Sequence, residues 1–303
     1  MRFQLLTYSI NELGQRGNQE DSIFPDLSSS PSKSDFYILC DGMGGHAAGE
    51  VASSTVCDAM SKYIATHKRK DEYYEESDFY AALNAAYDDL DAKDTGDEKK
   101  MGTTLAFVKF HHGGCFIAHI GDSRIYHIRP SKHKILHVTR DHSLVNDLID
   151  TGELTPEEAR NSRQKNVITR AMQPLQERRS KADCINLTDI KSGDYFYMSS
   201  DGMLEQMSDE ELVNILCMNA QDDRKIEILI GATQENKDNH SAHLIKVVSV
   251  KEMEGEQRKA DTSPVPDNAH NLTRKHKWRI YWWTVSLLVL LSLCVAVYFM
   301  KIR

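Results

Sequence analysis

The 303 residues, 40% hydrophobic and 27% charged, are ample for one large domain with its own core. The net charge of -8 hides an asymmetry: residues 252–303 carry eight Lys/Arg against five Asp/Glu, which leaves -11 for residues 1–251. An acidic body argues against general nucleic-acid binding, which needs a basic face to neutralise phosphates, and it suits a site that gathers divalent cations. The six cysteines (40, 57, 115, 184, 217 and 294) form no Cys-x-x-Cys pair and are expected to be buried thiols in a reducing compartment. None of them begins the Cys-x5-Arg spacing of a thiolate phosphatase.

Along residues 1–251, short apolar runs bounded by turn residues predict strands at 3–10, 35–40, 103–110, 114–120, 123–129, 134–139, 194–199 and 243–250. HHGG at 111–114 and RPSKHK at 129–134 are hairpin-sized connections, so antiparallel pairing is expected. Helical spacing appears in 47–66, 78–92 and 209–218. Hairpins with helices interposed predict an α+β architecture, sheets covered by helices. The polar stretch 141–182, with short helical pieces at 143–150 and 155–160, reads either as a flap or as a plain surface excursion.

Residues 252–279 form a polar and then basic linker; the part up to 273 has two prolines and no apolar period. Residues 280–300 are 21 consecutive residues without a charge, long enough to cross a bilayer core of ~30 Å as a helix. Trp278, Trp282 and Trp283 lie at one end and Tyr298 near the other, as interfacial aromatics do. Arg274, Lys275, Lys277 and Arg279 precede the span, and a short tail at 301–303 follows it, so the positive-inside rule predicts a single-pass anchor with the body in the cytoplasm. The N-terminus carries no signal-peptide pattern.

Four aspartates share one placement. Asp41 ends an apolar run, Asp122 and Asp201 follow others, and Asp238 sits just before the last strand. Carboxylates converging from strand ends repel one another unless a cation lies between them, and hard cations such as Mg²⁺ or Mn²⁺ take such oxygen ligands. Gly42, Gly44 and Gly45 allow the backbone after Asp41 to approach a ligand closely. Gly42-x-Gly44-x-x-Ala47 also fits a loose dinucleotide fingerprint, but the second buried strand ending in an acid is missing, which disfavours an oxidoreductase.

Eight motifs follow one another. They are Arg16-Gly-Asn-Gln-Glu20-Asp21-Ser, Asp41-Gly-Met-Gly-Gly, Gly102-Thr-Thr-Leu, Gly121-Asp122-Ser-Arg, Thr139-Arg-Asp-His-Ser, Ile168-Thr-Arg-Ala, Ser200-Asp201-Gly and Asp238-Asn239-x-Ser241. In order and spacing the series resembles the metal-dependent protein phosphatases of type 2C, their bacterial branch above all. The resemblance covers nearly all of 1–251. It implies a four-layer αββα sandwich of two antiparallel sheets and a phosphoserine/phosphothreonine phosphatase. By the same likeness two Mn²⁺ or Mg²⁺ ions, with a third, would be held by Glu20, Asp41, the Gly42 carbonyl, Asp122, Asp201 and Asp238. Asp122 matches the ligand of the third ion, Arg16 the phosphate-binding arginine, Asp21 a group supporting the site from behind, and 141–182 the flap. Hydrolysis by a water bridging two cations, with no covalent intermediate, is then expected.

Met43 stands where animal members carry the histidine proposed as general acid, and His46 is expected to be a helix-start residue rather than its substitute. Gln173 replaces a glycine of the flap motif. The interval between Ser200 and Asp238 is short, which predicts less helix than in larger relatives. The competing reading, a membrane-bound pseudophosphatase that binds phosphoproteins without turnover, would normally lack one of the aspartates. Phosphorylated Ser/Thr proteins are the expected partners, a membrane serine/threonine kinase among them.

Overall fold

A computed structural model describes residues 1–26, 34–44, 48–69, 72–94, 96 and 100–252. Residues 1–252 form one compact unit. The eight predicted strands are present. They are β1 (Arg2–Glu12), β3 (Phe36–Met43), β4 with β5 (Gly102–Thr103 and Leu105–His111), β6 (Gly114–Ile120), β7 (Arg124–Arg129), β8 (Lys134–Val138), β10 (Tyr195–Ser199) and β11 (His240–Lys251). Two further strands, β2 (Asp21–Phe24) and β9 (Asp183–Leu187), lie in segments too short or too polar to show an apolar run. The helices α1 (Ala48–Thr66), α2 (Glu76–Asp91), α3 (Leu144–Asp150), α4 (Pro156–Arg160) and α5 (Asp209–Cys217) fall where the spacing places them. A sixth, α6 (Asp222–Thr233), was not expected, because its polar first turn hides the apolar face. The linker, the 280–300 span, the tail and His46 lie outside the described residues; among the described residues no helix is long and apolar enough to cross a membrane.

One sheet runs β1-β11-β10-β7-β8. The other runs β2-β3-β5-β6-β9, with β4 added beside β3, and all pairings are antiparallel. The alternation of side chains across each strand builds the layers. On β3, Phe36, Ile38 and Cys40 join α1 and α2 in one core through Val56, Met60, Phe79 and Leu83. Tyr37 and Leu39 point the other way, into the seam between the sheets with Val108, Ile117, Phe196, Met198, Ile245 and Val247. On β10 and β11, Tyr195, Tyr197 and Leu244 face α5 and α6 through Leu212, Leu216 and Leu229. Central strands here are apolar on both faces, so they read as continuous runs rather than as alternation. The result is helices, sheet, sheet, helices. Each fully buried Leu, Ile, Phe or Met side chain contributes about 1.5–3 kcal/mol, so this triple core outweighs any single surface contact.

Candidate metal centre

The antiparallel order brings five motif-bearing ends to one place: the end of β3, the start of β2, the turn from β6 to β7, the end of β10 and the start of β11. Asp21 and Asp41 are directly opposed across the β2–β3 pair. The Gly102-Thr-Thr-Leu motif braces Asp41. Thr104 Oγ1 accepts from the Asp41 N–H at 3.0 Å, while the Thr103 hydroxyl and the Thr104 N–H donate to the Asp41 carbonyl at 3.0 and 2.9 Å. The Thr104 hydroxyl in turn meets Ser123 Oγ at 2.7 Å, which ties the Asp41 strand to the turn that carries Asp122.

Gly42 is a glycine for lack of space. A Cβ there would sit 2.2 Å from the Gly49 carbonyl oxygen and 2.6 Å from that of Glu20. Its N–H donates to the Glu20 carbonyl at 3.0 Å, and the Glu20 carboxylate lies over Gly49 in the first turn of α1. The close approach of β3, α1 and the Glu20 segment is thus written into two glycines.

Asn239 stitches the loop bearing Arg16 and Glu20 to β11. Its Oδ1 accepts from the Glu20 N–H at 2.8 Å, and its Nδ2 donates to the carbonyls of Leu13 and Asn18 at 2.8 and 3.1 Å. Asp238, one residue earlier, accepts from Arg16 Nη2 at 2.6 Å. Ser200 donates its hydroxyl to Asp21 Oδ2 at 2.8 Å and so positions the turn that opens with Asp201. Asn239, Thr104 and Ser200 carry no sequence signal of these contacts beyond their places in the motifs Asp238-Asn239-x-Ser241, Gly102-Thr-Thr-Leu and Ser200-Asp201-Gly.

The electrostatics of these acids have one direction. Burial first, then the charges of Asp21, Asp201, Asp122 and Asp238, hold the Asp41 carboxyl far above its ordinary range. Burial and Asp238 raise Asp201, which also lies within hydrogen-bonding reach of Asp41. Asp122 is pushed up to about 7 by burial and by Asp201, and Asp21 to about 7 by burial, against the hydrogen bonds of Ser241 and Ser200. Asp122 Oδ1 is buried with no hydrogen-bond partner. A cluster of buried and half-buried carboxyls, each disfavoured as an anion by its surroundings and one of them with an orphaned oxygen, fits hard divalent cations, which would remove the repulsion and satisfy that oxygen. Asp122 and Asp201 also floor a cleft of about 710 Å³ whose other wall is Asn146, Ile149 and Arg160 from 141–182.

Comparison with known proteins agrees. Residues 15–228 match the family described as protein phosphatase 2C. A putative protein phosphatase 2C-type of Streptococcus pyogenes is 33% identical over 221 residues, 72% of this chain and 87% of its own length. The serine/threonine protein phosphatase PstP of Mycobacterium tuberculosis is 33% identical over 207 residues, 66% of this chain, which spans only 36% of PstP. A crystal structure of the PstP catalytic domain in complex with two manganese ions superposes with a TM-score of 0.66 at 30% identity, covering 81% of this chain and 99% of that one. The chain belongs to the protein phosphatase 2C family, and with it to the protein-serine/threonine phosphatases.

Proposed function

We propose that this chain is a Mn²⁺- or Mg²⁺-dependent phosphoserine/phosphothreonine phosphatase, working at a membrane surface to which residues 280–300 anchor it. The observation that carries the catalytic part is the convergence at one place of Asp21 and Asp122, which are buried, with Asp41 and Asp201, which are half-buried, all four with raised proton affinities. Asp41, Asp201, Asp238, Glu20 and the Gly42 carbonyl would hold two cations, and Asp122 with Asp201 a third. When bound, such ions would acidify a water and shield the phosphoryl oxygens, chemistry that requires no covalent enzyme intermediate.

The side chains divide the remaining work. Arg16, half-exposed at the rim, offers a planar fork of donors to the incoming phosphate. Asp21, buried opposite Asp41 and hydrogen-bonded by Ser200, ties the end of β10 in one sheet to the start of β2 in the other rather than reaching the substrate. Met43, at the end of β3, has no titratable group, so the leaving seryl or threonyl oxygen takes its proton from solvent rather than from this position. The anchor concentrates the enzyme on membrane-bound phosphoproteins, a serine/threonine kinase among them.

Phosphate release from phosphoserine and phosphothreonine peptides by the full chain tests the catalytic part. Activity that needs Mn²⁺ or Mg²⁺ and disappears with EDTA supports it; metal-independent activity, or none with the fold intact, refutes it. Deleting 277–303 tests the anchor: the truncated protein is expected to leave the membrane fraction and stay active, and a truncated form that still sediments with membranes rules the anchor out.

A further inference from the structure

With its Oδ1 unpartnered, the Asp122 carboxylate is aimed by the backbone that carries it. The preceding residue, Gly121, has φ +102, a conformation open to glycine, and a Cβ there would lie 2.6 Å from Thr104 Cγ2. Both polar groups of this glycine are held by a single residue. The His142 N–H donates to the Gly121 carbonyl at 2.9 Å, and the Gly121 N–H donates to His142 Nδ1 at 3.1 Å.

His142 is itself fixed. Its buried ring stacks on His119 with centroids 4.5 Å apart and planes 12° from parallel. Its carbonyl accepts from the Thr169 N–H at 2.8 Å, and the next residue, Ser143, bridges to Ile168. The residue that grips Gly121 therefore also ties the start of the 141–182 excursion to Thr169 within it.

Hydrogen bonding sets the tautomer. An Nδ1 that accepts an N–H carries a lone pair, so the ring proton is on Nε2, which faces Asp183 Oδ2 at 3.3 Å. Arg170 Nη1 donates to Asp183 Oδ1 at 2.8 Å; its 3.1 Å approach to His142 Nε2 is that of two donors sharing one carboxylate.

The same tautomer excludes a cation here, although His119, His142 and Asp183 place three potential ligand atoms within 4.8 Å of one another. His119 Nε2 donates to the Arg140 carbonyl at 2.9 Å, His142 Nε2 keeps its proton while the Gly121 bond stands, and Arg170 brings a positive charge to the spot. The cluster is the anchor of His142.

We propose that His142 is a positioning residue for Asp122: by clamping Gly121 through main chain and imidazole it presets the Asp122 carboxylate for a divalent cation and links that placement to the root of the 141–182 excursion. The inference rests on the reading of Asp122 as a cation ligand.

Side-chain geometry supplies the test. In His142→Asn the amide Oδ1 takes the place of Nδ1 and can still accept from Gly121. In His142→Gln the amide reaches the place of Nε2, toward Asp183, and leaves the Gly121 N–H unpaired. Two quantities are measured on the full chain: Mn²⁺ binding isotherms, and hydrogen exchange at the Gly121 amide without metal. His142→Gln is expected to weaken one Mn²⁺ site by roughly 10–100-fold, the usual effect of removing a group that orients a ligand, and to speed Gly121 exchange. Asp122→Asn identifies which site that is, and His142→Asn keeps both properties of the wild type. Equal losses in folded His142→Asn and His142→Gln proteins overturn the proposal, as does wild-type behaviour of both; should the Gln variant not fold, loss of the site in folded His142→Asn overturns it alone. Wild-type Mn²⁺ binding by Asp122→Asn overturns the cation reading itself, and the metal-free exchange data keep that failure apart from a failure of the clamp.

Discussion

Arg16 Nη2 lies 2.6 Å from Asp238 Oδ2, so the arginine expected to receive phosphate is paired with a carboxylate expected to receive a cation. The pairing raises the affinity of Arg16 for its proton and gives the acidic cluster a positive counterweight at its rim. A cation at Asp238 would take over that role and leave the guanidinium to the substrate. With Asp238 and Arg16 half-exposed, the pair itself adds little to stability. Arg16→Ala is therefore expected to leave the unfolding temperature unchanged. At saturating Mn²⁺ it should lower kcat/KM for a phosphopeptide by about 10–100-fold, the scale of a lost hydrogen bond to a charged group. Arg16→Lys keeps the charge without the fork and falls between. Steady-state kinetics decide; wild-type kcat/KM in Arg16→Ala would remove this residue from the phosphate site.

Replacing Asp41 should separate activity from stability. Asp41→Asn removes the carboxylate proposed as a cation ligand at the centre of the cluster, and activity is expected to fall by at least about 10²-fold, as when one preorganised electrostatic group is lost. In EDTA the same change replaces a repelled, half-buried carboxyl by a neutral amide. A gain of about 1 kcal/mol corresponds to roughly 2–4 °C for a domain of this size. Thermal unfolding in EDTA checks the sign: an Asp41→Asn protein that melts below the wild type shows that the carboxyls do not strain the metal-free fold.

Away from the site, Arg129 donates from Nε and Nη2 to Asp194 at 2.8 Å each, and His127 Nε2 meets the same carboxylate at 2.8 Å. The side chains of Arg129 and Asp194 are 2% and 1% exposed. Asp194→Ala leaves a buried guanidinium without its main partner and is expected to cost about 3–5 kcal/mol. Urea unfolding measures this, and a loss below about 1 kcal/mol would mean that water or Asp189 replaces the missing carboxylate.

His243, on β11 between the sheets, is held down to about 4 by burial. That lies below the ~6.5 of an unfolded chain, so the folded protein binds fewer protons than the unfolded one in this window. The contribution is complete above pH ~6.5 and is lost as pH falls towards 4, up to roughly 3 kcal/mol. Burial also lowers His111 and His137, which steepens the same acid limb. His243→Asn, whose Oδ1 can replace Nδ1 as partner of the Ser9 hydroxyl, is expected to flatten the limb. Denaturant midpoints between pH 7.5 and 4.5 that fall equally in wild type and variant would show that the residue takes no part in it.

What the chain reveals on its own is local or periodic. Strands β3, β6, β10 and β11 are legible because they are apolar on both faces, and α1 and α2 because their stripe repeats every three to four residues. Strand β9 has no such signature: it is largely exposed and is defined by its pairing with β6. Strand β2, four residues long, is set by the register that opposes Asp21 to Asp41.

The same division holds for the site. Asp41, Asp122, Asp201 and Asp238 could be named in advance because carboxylates at strand ends and glycines beside them are features of short segments. That Asn239 joins the Arg16 loop to β11, that Thr104 links Asp41 to Ser123, and that His142 clamps Gly121 across 21 residues are consequences of folding alone. Hydrogen bonds of this kind depend on where two distant backbones meet, and no periodicity in either segment records it.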